Sequence, residues 1–234
     1  MTDKHLSTQF DAELSAVSTR VLEMGGLVEQ QVALAVESLV SMSEERAAEV
    51  LQTERRVNQL ELDIDRDLSS IIARRQPTAR DLRLLIGISK TIGNLERVGD
   101  EAARVARTVQ RLIGGSSHGL AFPTAQLNLE AQLATASLRR ALDAFARLDV
   151  DQALEVIKQD NRIDAEFDGL LRTLITYMME DPRTISASID LVFVAKALER
   201  VGDHAKNLAE QVVYVVKGAD IRHTPLEGLD SAVQ

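Results

Sequence analysis

Glu96-Arg97-Val98-Gly99-Asp100 is repeated letter for letter as Glu199-Arg200-Val201-Gly202-Asp203, 103 positions later in a chain of 234 residues. A five-residue identity at that distance predicts an internal duplication. The flanks extend it. Leu85, Ile88, Ile92, Leu95, Gly99, Ala102, Ala106, Val109 and Ile113 advance in steps of three and four. Leu191, Ala195, Leu198, Gly202, Ala205, Ala209, Val212 and Val216 follow the same rhythm, each 103 positions after a member of the first set. This is the apolar seam of a long bundled helix. Glu96 and Asp100 are four apart, so they stack on one helical face, about 100° round from the seam. Like charges at that spacing repel, and a glycine inside a helix costs about 1 kcal/mol relative to alanine. Both costs recur in each copy. The glycine is expected to admit another backbone at close range, and the carboxylates to hold a cation.

Composition narrows the class. Hydrophobic residues make up 45%, aromatic residues 3%, and tryptophan is absent. That balance suits long helices, and strand signals are nearly missing. The net charge of −9 argues against nucleic acid as the main partner, because backbone-phosphate binding needs a basic patch. With no cysteine there are no disulfides or thiolate metal sites. Met1-Thr2-Asp3-Lys4-His5 lacks the apolar core of a signal peptide, and no run of eighteen apolar residues offers a membrane span. The expected setting is cytoplasmic without direct membrane insertion, with a peripheral role at the inner membrane through partners left open.

Taken in order, the pattern predicts six helices. The first runs from near Ser7 to Ser41 on a seam from Phe10 to Met42, interrupted at Gly25-Gly26, where a bend or close packing is expected. Ser41 and Glu44 fit a capping box for the second helix, which ends near Gln76 before Pro77. Glu54 and Glu61 occupy seam positions in it. Thr78 and Asp81 open the third helix, which runs to about Ile113. Residues 114–123 read as a linker. The fourth helix carries Leu127, Ala131, Ala134, Leu138, Ala141 and Phe145. The fifth follows a short turn at Asp149–Asp151 and ends at Asp181-Pro182, and the sixth reaches Lys217. The tail, 218–234, is expected to be loose. The predicted fold is all-α: two tandem three-helix bundles, 1–113 and 124–217, related by a pseudo-twofold internal duplication.

Folding the second and third helices back at Pro77 sets Glu96 and Asp100 against Asn58 and Glu54. Folding at Pro182 sets Glu199 and Asp203 against Asp160, Asp164 and Asp168. The register is ambiguous in the second helix. An offset of 103 matches Glu61 and Asp65 to Asp164 and Asp168, and an offset of 106 matches Glu54 to Asp160 and Asn58 to Asp164. The second aligns the apolar seams and is preferred. Four or more uncompensated carboxylates in a bundle are strongly unfavourable, and a bound cation resolves that. The candidate ligands are Glu199, Asp203, Asn207, Asp160 and Asp164 in the second half, and Glu96, Asp100 and Glu54 in the first. An oxygen-rich donor set suits Mg, Mn, Ca or iron. The Glu-x-x-His pattern of di-iron bundles is missing, and His204 is expected to point away from the stripe. In the first half Arg104 stands where Asn207 continues the stripe. A salt bridge from Arg104 to Asp100 is expected, which leaves the second half as the better cation site.

These residues carry a resemblance. Glu199-Arg-Val-Gly-Asp-His-Ala-Lys-Asn-Leu-Ala, its degenerate copy Glu96-Arg-Val-Gly-Asp-Glu-Ala-Ala-Arg-Val-Ala, and the early Phe10, Leu14, Met24-Gly25 and Val28-Glu29 resemble the PhoU family of bacterial phosphate-transport regulators. The resemblance spans nearly the whole chain. It implies two three-helix bundles, homodimers, and divalent or trivalent metal (Mg, Mn, Fe or Zn) on Glu/Asp-x-x-x-Asp motifs. On this chain the motif residues are Glu96, Asp100, Glu199, Asp203 and Asn207, with Arg104 a departure. It further implies negative regulation of the phosphate-starvation response, through a PstB-like transporter ATPase and a PhoR-like sensor histidine kinase. The chain shows no nucleophile, glycine-rich phosphate loop or catalytic dyad, so a non-catalytic adaptor is the expected role. A metal-dependent phosphoester hydrolase and a metal-storage helical protein are the alternatives.

Overall fold

The structure, a computed structural model, describes residues 2–115 and 123–229. Most of the expected linker, 116–122, lies outside the described residues. Six helices follow one another: α1 (Thr2–Ser41), α2 (Glu44–Arg75), α3 (Ala79–Gly114), α4 (Thr124–Arg147), α5 (Val150–Glu180) and α6 (Ile185–Lys217). Single 3₁₀ turns cover Pro182–Thr184 and Leu226–Gly228, and no strand occurs among the described residues. The all-α expectation holds.

Local groups close the short connections α1–α2, α2–α3 and α4–α5. Ser43, not Ser41, caps α2: its hydroxyl accepts the amide of Arg46 at 3.3 Å. Ser41 instead bonds back to its own helix, donating to the carbonyl of Glu37 at 2.6 Å. Gln76 closes α2 in the left-handed region, its amide donating to the carbonyl of Ile72. Asp149 caps α5 through the amide of Gln152 at 3.0 Å. Gly218 ends α6 at φ 74°, a conformation that costs a residue without Cβ nothing. The first helix begins earlier than its pattern suggested, at Thr2.

Helices α1, α2 and α3 pack on one another, as do α4, α5 and α6. The most extensive packing in the molecule, however, joins α3 to α6. Arg111 of α3 reaches Asp190 of α6 at 3.0 Å, Glu101 meets Arg200 at 3.0 Å, and Asn94 meets Asn207 at 3.3 Å. The pair therefore runs antiparallel, with Gly99 and Gly202 at its midpoint. Leu85, Ile88, Leu95, Leu198 and Leu208 are almost fully buried, and the apolar residues of both halves form one continuous core. Two bundles are thus fused along their third helices. Ile221 and Leu229 join that core, so the described part of the tail is anchored rather than loose.

The glycines admit side chains, not backbones. A Cβ on Gly202 would stand 2.6 Å from Ile163 Cδ1, and one on Gly99 would stand 3.0 Å from Gln31 Oε1. Gly25 makes room for Leu142 of α4 in the same way, which is the close packing expected at Gly25-Gly26. Gln31 donates to the carbonyls of Gly99 (3.2 Å) and Val50 (3.3 Å), tying three helices at the centre of the first bundle.

Candidate functional site

In the second half, Glu199 and Asp203 of α6 share one electrostatic neighbourhood with Asp160 and Asp164 of α5. Asp203 is pushed up to about 6, first by burial and then by Glu199, Asp160 and Asp164. Asp164 is raised by burial and then by Asp160 and Glu199. The facing acids expected from the fold at Pro182 are therefore brought together, except Asp168, which is not among the groups acting on these acids.

Lysines answer part of this charge. Lys206 Nζ lies 2.8 Å from Asp160, which is only 4% exposed. Lys196 Nζ lies 2.6 Å from Glu199 Oε1 and sits 5.1 Å from the centre of the Phe167 ring. Glu199 Oε2 remains buried without a hydrogen-bond partner. Two lysines do not neutralise four carboxylates, and a fifth stands beside them. Glu130 of α4 is 0% exposed, and neither of its oxygens has a partner. Burial, then Glu199 and Glu166, push its carboxyl up to about 8. Among the described residues no three His, Asp or Glu side chains close onto a single metal position. The donors nevertheless suit an oxygen-preferring cation: three unpartnered carboxylate oxygens, no sulfur, and uncompensated negative charge.

Asn207 leaves the stripe. Its amide donates to Asn94 Oδ1 of α3 at 3.3 Å, drawn there because the two helices are in contact. His204 also faces α3, with Nδ1 3.0 Å from Asn94 Oδ1.

The first half is differently balanced. Glu96 is raised by burial, then by Asp100, Glu61 and Glu54, and Glu61 by burial, Asp65 and Asp100. Val57 packs on Gly99 as Ile163 packs on Gly202, 106 positions later, so the preferred register holds, and Glu54 acts on Glu96 as expected. Glu61, one heptad further along α2, joins it beside the motif. Glu54 is engaged by Arg107, whose Nη2 lies 2.9 Å from both its oxygens. Arg104 turns away from Asp100 and pairs with the buried Glu101 at 3.3 Å, because Glu101 lies three residues back on the same helix and is desolvated. Arg107 and Arg97 thus supply cations that the second-half cluster meets with two lysines only.

Glu130 is the site residue that sequence reasoning missed. Its signal was a glutamate three positions after Leu127, in step with the α4 seam.

A PhoU domain model matches residues 21–109 and again 127–212. The chain belongs to the PhoU family. The two matched segments begin 106 positions apart and end 103 apart, so both offsets read from the repeats are present. A Burkholderia sp protein named phosphate-specific transport system accessory protein PhoU homolog is 47% identical over 229 residues, covering 98% of this chain and 97% of that one. The Escherichia coli K12 phosphate-specific transport system accessory protein PhoU is 41% identical over 228 residues, covering 97% and 93%. Among solved structures, PhoU from Pseudomonas aeruginosa superposes with a TM-score of 0.86 at 44% identity, covering 89% of this chain and 99% of that chain. The Streptococcus pneumoniae phosphate transport system regulatory protein PhoU gives 0.83 at 28% identity, covering 90% and 98%. No helix among the described residues is long and apolar enough to cross a membrane.

Proposed function

We propose that this PhoU-family chain is a non-catalytic accessory regulator of phosphate-specific transport. It works in the cytoplasm as a homodimer, linking a PstB-like transporter ATPase to a PhoR-like sensor histidine kinase and restraining the starvation response while phosphate is plentiful. One observation carries this reading: near full-length similarity, through both repeats, to proteins named as accessory components of phosphate-specific transport. Affinity capture of the tagged chain from gently solubilised cells tests it, since a transporter ATPase or a sensor kinase must come with the bait.

We also propose that Glu199, Asp203, Asp160 and Asp164 hold a divalent or trivalent cation, with Glu130 behind them. The unpartnered Glu199 and Glu130 oxygens and the raised Asp203 support it. The cation would neutralise the cluster and bridge α5 to α6, stiffening the second bundle. Equilibrium dialysis against Mg, Mn, Fe or Zn, followed by metal analysis, is expected to find close to one ion per chain in the second half. Asp203→Ala is expected to lose at least about tenfold in affinity through removal of a charged ligand. Less than about one-tenth of an ion per metal-replete chain rules out a tight site.

A further inference from the structure

The duplication is imperfect at one charged position, and a cleft opens there. Glu101 of the first repeat and His204 of the second are 103 apart, so they occupy matching places. Each faces an arginine across the α3–α6 contact. Glu101 pairs with Arg200 at 3.0 Å. The matching arginine, Arg97, lies near His204 instead. His204 is held by Asn94, its Nδ1 3.0 Å from Asn94 Oδ1, so the place that Glu101 fills in the first repeat carries no carboxylate. Among the described residues neither Arg97 nor Lys90 makes a close ion pair: Arg97 acts on Glu96 and Glu61 only through longer-range attraction, and Lys90 lies 5.0 Å over the centre of the Tyr214 ring, where Asp220 also feels its charge.

Both line a cleft of about 330 Å³ between α3, α6 and the tail. Lys90 and Arg97 project from one face of α3, seven residues apart, with Gly93 between them. Arg222 enters from the tail, held by Asp220 at 2.6 Å. Asn207 and Gln211 form the opposite wall, on α6. Gln211 is 4% exposed, and its unpartnered Oε1, an acceptor, suits the hydroxyl of a singly or doubly protonated phosphate rather than its charged oxygens. Glu210 also borders the cleft. It is largely buried, with Lys206 and Arg222 as its nearest opposing charges. Lys90, Arg97 and Arg222 against Glu210 and Asp220 leave a net positive recess in a chain of net charge −9.

We propose that this cleft binds a phosphate-type oxyanion, held by Lys90, Arg97 and Arg222 and seated against Asn207 and Gln211. Guanidinium groups match phosphate oxygens in a planar fork, and lysine adds a point charge. The ligand would touch α3, α6 and the tail together, so its binding bears on the contact that fuses the two repeats. The proposal stands on this cleft alone and not on the adaptor reading. At the pseudo-equivalent place on the other side the arginines are closely paired, because Glu101 takes both Arg104 and Arg200, and Glu54 takes Arg107.

Calorimetric titration of the full chain at fixed ionic strength, with inorganic phosphate in one arm and AMP in the other, tests the proposal. One site per chain is expected in at least one arm. Tighter binding of phosphate assigns the free ion, and tighter binding of AMP assigns a phosphate carried on an organic group. Lys90→Gln and Arg97→Gln are each expected to weaken binding by about tenfold or more. Gly93→Leu fills the cleft and abolishes binding, and it is tolerated by the fold because a Cβ there meets nothing within 4 Å. No saturable binding below millimolar concentration in either arm overturns the proposal. So does binding that survives all three variants unchanged, which would mark an adventitious ion only.

Discussion

Leu198→Ala is expected to lower the unfolding free energy of the whole molecule by about 2–5 kcal/mol, in a single transition. Leu198 is 2% exposed and directly precedes the Glu199 motif. Its removal deletes buried methyl groups and leaves a cavity that rigid neighbours fill only in part. The more informative half of the expectation is the shape of the curve. Two independent three-helix bundles would melt separately, and the variant would destabilise only the second. Here the apolar residues of both repeats share one core, with α3 against α6 as its main contact. Loss at Leu198 must therefore pull the first bundle down with the second. Denaturant unfolding followed by helical circular dichroism reads this directly. A variant curve that splits, with the early step carrying about half the signal, contradicts the fused core.

Glu130→Met is expected to stabilise the metal-free protein at pH 8 and to leave it little changed at pH 4. The carboxyl of Glu130 has an ordinary value near 4.5 in the unfolded chain and about 8 in the fold. Below 4.5 it is protonated in both states and costs nothing in ionisation. Between 4.5 and 8 the unfolded chain releases the proton while the folded one keeps it, so stability falls as pH rises. Above 8 the full penalty applies, on the order of 4 kcal/mol. Methionine removes the charge and restores a residue type that fits a seam, since Met24 is fully buried in the matching stretch of α1. The readout is the difference in stability between wild type and variant, measured in chelator from pH 5 to pH 8. A difference that grows with pH is expected. Parallel profiles would mean that Glu130 is already solvated or paired. His204 works in the opposite direction, losing stability as pH falls from about 6.5 towards 4, and it cancels in the comparison.

The helices and their seams were legible because periodicity of three and four persists for whole helices and two motif copies cross-check each other. Pro77 and Pro182 gave the fold-backs that bring Asp203 to Asp160. What the chain could not show was which charges find partners across helices. Arg104 chose Glu101 over Asp100 because Glu101 is buried, and burial is a tertiary property. Asn207 followed Asn94 for a similar reason: the α3–α6 contact is invisible to local spacing. Glu54 and Glu61 are seven residues apart, almost two helical turns, so both lie on nearly the same face and both reach the motif, which the choice between two registers had treated as exclusive. Glu130 was passed over because a seam was read from its apolar members, and a lone glutamate in step with them looks like a solvated exception. Ser43 displaced Ser41 by two residues, within the usual scatter of helix ends.

Affinity capture of the tagged chain from cells grown with and without phosphate, read by mass spectrometry, tests the regulatory reading most directly. The account predicts that a phosphate-transporter ATPase and a sensor histidine kinase are recovered with intact bait, in a ratio that changes on starvation. Recovery of neither in either condition, with the bait folded and abundant, contradicts it.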